Sequence, residues 1–147
     1  MTIAEQRTVS ALHSAGLQAA LDELSITDAV ALLIDGTGVR DQRTLMEQIR
    51  SNIDLAGAGV DPPSGWDGLK DAMWSVVGAQ QNDHVVLLWT GADTILGQSL
   101  AELLVAIEVF TLVARDARTR TTGVGAVRFQ LVLVGDGPMF PPYNMFG

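Results

Sequence analysis

Apolar residues in this chain are grouped in two ways: short unbroken runs, and longer stretches in which they recur three and four apart. The unbroken runs predict strands buried on both faces. Ala29 to Ile34 is one, stopped by Asp35-Gly36, and Val85 to Trp89 is a second. Val127 to Val134 is the third, ended by Gly135-Asp136-Gly137-Pro138. The spaced stretches predict helices. Residues Ala4 to Leu24 carry Leu12, Leu17, Leu21 and Leu24 among alanines, with Gly16 as the weak point of an N-terminal helix. Thr44 to Ile53 has the same spacing in Leu45, Met46, Ile49 and Ile53. Gln98 to Arg118 is a long helix, apolar over most of its circumference, so more than one side of it needs cover. Strands separated by helices imply parallel pairing through right-handed crossovers, hence an α/β fold with a three-stranded parallel sheet.

A further helix lies between the first two strands. The segment Ala56 to Pro63 is a loop by composition, since Pro62 and Pro63 bar a helix. Ser64 is placed as N-cap of this further helix, with Asp67 as its capping-box partner, and Gly78 stops the helix after Val77. Trp66, Leu69, Met73 and Val76 form one buried stripe on it. Asp67, Asp71 and Trp74 form a second that points at water. Two carboxylates one turn apart repel each other, by roughly 0.2–0.5 kcal/mol, and Asp is a poor helix former. Folding alone does not call for that stripe, which reads as a recognition face for something positively charged. Asp67 also has a purely structural use at the helix start, and Trp74 belongs to the core instead if the helix is rotated or covered by the N-terminal extension.

Composition narrows the partners. The chain of 147 residues is the size of one ordinary domain and is 48% hydrophobic. We divide it into an N-terminal helical extension (4–24), a core (28–135) and a proline-broken apolar tail (138–147). Nine basic residues against 17 acidic ones give a net charge of -8, which argues against direct binding to nucleic acid or an anionic membrane. With no cysteine, disulfides and thiolate chemistry are excluded. The apolar stretch Leu100 to Ala114 contains Glu102 and Glu108 and falls short of the roughly 20 residues a span requires. A cytoplasmic protein is the expectation. His13, expected on a surface helix, and His84, just before a strand, have no partner at ligand spacing. Gly36-Thr37-Gly38 lacks the third glycine of a dinucleotide fingerprint. We expect no enzyme, no catalytic residues, no metal and no cofactor.

The order of these elements, together with Trp66-Asp67-Gly68-Leu69-Lys70-Asp71-Ala72-Met73 between the first strand and the aromatic-ended second, resembles the barstar family of ribonuclease inhibitors. The first strand running into Asp35-Gly36, the long apolar helix and the final strand keep the same order, so the resemblance spans about residues 28 to 135. It implies a barstar-like fold, with the N-terminal helix as an extra. It further implies an immunity protein whose partner is a basic nuclease toxin, most simply a ribonuclease, plugged by the acids of the motif. By position those acids are Asp67 and Asp71, with Trp74 one turn on and Ser64, Gly65 and Lys70 around them. Trp89 borders the face. The chain departs from the family in carrying Pro62-Pro63-Ser64-Gly65 where members have aromatic-Gly-x-Asn, and Lys70 where members can have an aromatic. The alternative is a protein-interaction or self-assembly module on the same fold with no nuclease partner.

Overall fold

The computed structural model describes residues 8–121, 123, 125–138 and 140. In chain order the elements are β1 (Val9–His13), α1 (Leu17–Ser25), β2 (Val30–Asp35), α2 (Gln42–Asn52), α3 (Trp66–Ala79), β3 (His84–Thr90), α4 (Asp93–Gln98), α5 (Leu100–Arg118) and β4 (Arg128–Gly135). Short 3-10 turns occupy Ser14–Gly16 and Ala56–Ala58. The fold is α/β, built on a four-stranded sheet in the order β1-β4-β3-β2, with every neighbouring pair parallel.

The chain crosses from β1 at one edge to β2 at the other, then returns strand by strand through β3 to β4. Right-handed crossovers made in opposite directions place their helices on opposite faces. The packing obeys that rule. The larger cluster gathers Leu45, Ile49, Leu69, Met73, Trp89, Phe110 and Phe129, so α2, α3 and α5 cover one face. The smaller gathers Ala20 and Leu24 of α1 with Val86, Leu88, Val132 and Val134, so α1 covers the other. Leu88 and Val132 point to α1, whereas Leu87 and Leu131 point to α5; this is why the central strands are apolar at successive positions.

The N-terminal expectation is corrected by the fold. The N-terminal helix does not run through residues 8–13. Val9 to His13 instead pair with Leu131 to Gly135 as the fourth strand, and the helix is confined to Leu17–Ser25. Ser10 and Ala11 are each 1% exposed, so pairing and burial override the helical preference of the surrounding alanines. The long helix expected over Gln98 to Arg118 is present as α5, and a separate short helix, α4, ends at Gln98 just before it. Ser99 adopts an extended backbone between α4 and α5, and its hydroxyl accepts the Glu102 N–H as the N-cap of α5. Of the tail, Phe140 is buried against the larger cluster, and 139 and 141–147 lie outside the described residues.

The loops at the carboxyl ends of the strands are set by close packing. Gly36 lies directly against the Trp89 indole, where a side chain would collide. Gly91 takes φ +61, and a side chain there would press on the Thr37 backbone. The Thr37 hydroxyl and N–H both donate to Asp35, which lowers that carboxyl below its ordinary value, the hydroxyl being the larger cause. Asp41 caps α2 through a box with Thr44. The Thr44 N–H, and secondarily its hydroxyl, hold the Asp41 carboxyl low as well. No helix among the described residues is long and apolar enough to cross a membrane.

Candidate functional site on helix α3

Helix α3 buries Leu69, Ala72, Met73, Val76, Val77 and Gly78 and packs chiefly against α5. Trp66 packs half-buried on the same core. With that stripe turned inward, the geometry of the helix turns Asp67 and Asp71 outward, and both are exposed. Among the described residues neither carboxylate makes an ion pair or a side-chain hydrogen bond. The expected capping box is not formed. The N-cap is Gly65, extended and with no side-chain cap bond, while Ser64 sits one residue further out and exposed. Asp67 therefore contributes to the helix start only through its charge in the first turn.

The surrounding cations are occupied. Lys70 Nζ lies 3.3 Å from Asp116 Oδ2 on α5, and Arg115 Nε lies 3.6 Å from Asp116 Oδ1. Lys70 therefore leans away from Asp71 and leaves it unneutralised. Trp74 differs from the sequence expectation of a bare outward indole. It is half-buried, the Arg120 guanidinium lies 3.9 Å above its ring, and Arg120 Nη1 donates to the Trp74 carbonyl at 3.1 Å. Gly78 makes that arrangement possible, because any side chain there would occupy the guanidinium's position. The helix accordingly runs past Gly78 to Ala79. What the sequence presents as a stop signal is a clearance.

Trp89 is corrected more strongly. It is 0% exposed, edge-on to Phe110 with ring centroids 6.4 Å apart, so it cannot touch a partner and serves the scaffold under Gly36. Residues that sequence reasoning missed are Ser75, Val113 and Asp116. With Lys70, Asp71 and Trp74 they line an open groove of about 360 Å³ between α3 and α5. Nothing local in sequence joins Asp116 to Asp71; only the packing of α3 on α5 does. The face thus consists of two acids without an ion pair among the described residues, one paired acid and an indole edge, an arrangement suited to holding cationic side chains.

The histidines lie elsewhere. His13, expected on a surface helix, ends β1, where its Nδ1 is 3.4 Å from Asp136 Oδ1 and its ring stands edge-on to Phe140. His84 Nε2 is 2.6 Å from the Gln130 carboxamide oxygen across β3 and β4. Among the described residues, no group of three His, Asp or Glu side chains is placed to hold a metal ion. Compared with protein-family models, curated proteins and solved structures, the chain matches none of them.

Proposed function

We propose that this chain is an intracellular inhibitor of a basic nuclease, most simply a ribonuclease toxin, and that α3 is the surface that closes the enzyme's cationic cleft. The observation that carries the reading is the pair Asp67 and Asp71, exposed one turn apart and without an ion-pair partner among the described residues. A pair of unneutralised carboxylates on a rigid helix repels itself. That cost is recovered when arginine, lysine or histidine side chains that normally hold substrate phosphates are supplied by a partner. The net charge of -8 extends the attraction beyond contact distance, so association is fastest at low salt. Leaving aside the short α4, the order β2, α2, α3, β3, α5, β4 resembles the order in which barstar-like inhibitors carry their elements, and it supports the same reading. Trp74 enters as an apolar edge already stacked by Arg120 rather than as a free anchor.

The test is an inhibition titration. The chain is mixed with a basic nuclease from its own organism, taking first any encoded by a neighbouring gene, and ribonucleic and deoxyribonucleic acid cleavage are followed separately. Activity should fall to zero at one equivalent. The double variant Asp67→Lys with Asp71→Lys should weaken inhibition by at least about thirtyfold, the loss of about 2 kcal/mol typical of one interface hot spot, with unchanged circular dichroism. Full nuclease activity at an excess of the native chain rules the reading out.

A further inference from the structure

At the opposite side of the sheet from β1, strand β2 ends the sheet, and among the described residues no strand pairs with its outer edge. The Gly36 N–H donates to the Thr90 carbonyl, and the Thr90 hydroxyl donates to the Ile34 carbonyl. Even-numbered residues of β2 therefore turn their backbone groups toward β3, and Ala31, Leu33 and Asp35 turn theirs outward. Asp35 is satisfied, since its N–H donates to the Asn52 carboxamide oxygen at 2.7 Å. The outward N–H groups of Ala31 and Leu33 have no partner among the described residues. Proteins generally blunt such an edge with lysine, proline or a bulge. Val30-Ala31-Leu32-Leu33-Ile34 contains none of these and pairs regularly with β3.

Both sides of the edge are furnished. On the thickly covered face a groove of about 360 Å³ runs beside β2, floored by Leu32 and walled by Asn52, Asp54, Ala58 and Gln80. On the other face Leu33 is 44% exposed, because α1 crosses the sheet and ends at Ser25, before the return to β2. Three carboxylates stand at the edge, that of Asp54 also accepting the Gly57 N–H at 2.8 Å. Asp28 and Asp35 flank the strand, Asp54 stands in the groove, and the groove is lined by no cation.

We infer that the β2 edge accepts an extended segment of a partner protein as a fifth strand, with basic side chains alternating with apolar ones. Backbone pairing at Ala31 and Leu33 fixes the register. The period of two sends every second side chain into the groove toward Asp54 and the intervening ones over Leu33. A lysine or arginine suits the first position and an aliphatic residue the second. This edge is separate from the acidic face of α3 and does not depend on the inhibitor reading.

The probe is an acetylated, amidated hexapeptide alternating valine and lysine, compared with its valine–glutamate counterpart, and the readout is residue-resolved amide hydrogen exchange. In the native chain the Ala31 and Leu33 amides should exchange freely. Saturating valine–lysine peptide should slow both by at least about tenfold, while the glutamate peptide should not. Asp54→Lys on one side and Leu33→Asp on the other should each weaken binding by about tenfold, with thermal unfolding confirming that each variant folds. The double substitution at Asp67 and Asp71 should leave it unchanged. No slowing at Ala31 and Leu33 at about millimolar peptide, or equal slowing by both peptides, overturns the inference. So does a free protein that sediments as a dimer with these amides already protected, because the edge is then taken by a second copy.

Discussion

The two faces of the sheet are covered very unequally. On one, α2, α3 and α5 enclose Trp89, Phe110 and Phe129 among side chains with essentially no exposure. On the other, the nine residues of α1 cover Val86, Leu88, Val132 and Val134, and Leu33 is left open. The difference comes from topology. A chain that crosses the sheet once in one direction and returns in several steps places one helix on the outward face and the rest on the return face. Both candidate surfaces take their character from this imbalance. Helix α3 is held firmly enough by the thick layer to keep two like charges in fixed positions. The β2 edge is open on its thin side because α1 ends before reaching Leu33.

If the thick layer dominates stability, its central side chain should be the most costly to lose. Trp89→Ala should lower the unfolding free energy by about 3–5 kcal/mol in urea titrations, with every probe moving together. A loss below about 1 kcal/mol would break the comparison. On the thin layer, Leu24→Ala should cost about 2–3 kcal/mol, near the low end for leucine truncation. Its mark should also be local, with amides of α1 and β1 gaining exchange before those of β3 and α5. Uniform loss of protection would show that both faces open as one unit.

Much of the thick side is legible in the sequence and much of the thin side is not. Strands β3 and β4 are buried on both faces and β2 is apolar up to its closing Asp35, so all three announce themselves as apolar runs. Their expected boundaries lie within a residue or so of the observed ones. Strand β1 is five residues, Val-Ser-Ala-Leu-His, set among alanines. Its identity depends on pairing with residues near the far end of the chain, and no local periodicity carries that information. The same holds within the site. The exposure of Asp67 and Asp71 follows from spacing alone, whereas the Arg120 stack on Trp74 joins positions that only the α3–α5 contact brings together. Gly78 carries the one signal, and it reads equally well as a helix terminator.

The smallest effect tests a cap on the thick side. Asp41 and Asp35 hold their carboxyl pKa values below the ordinary 3.8, through Thr44 and Thr37 respectively. A depressed native value means that folding favours the ionised form, so its stabilisation is complete above 3.8 and is lost as pH falls through the lowered native values. The contribution of these two carboxyls to the urea midpoint should hold from neutral pH down to about 5 and fall away below 3.8. Asp41→Asn should flatten part of that drop, and an unaltered acid limb would show that the α2 cap contributes nothing to it.

The partnership of β1 with β4 has a consequence for how the molecule comes into being. Translation delivers Val9 long before Leu131, the residue opposite which it must lie. The first strand therefore spends nearly all of synthesis without its mate, while β2 and β3 can already zip together over their own helices. Its docking is a late step, and until then a strand with unpaired backbone groups is offered to whatever chaperone stands at the ribosomal exit.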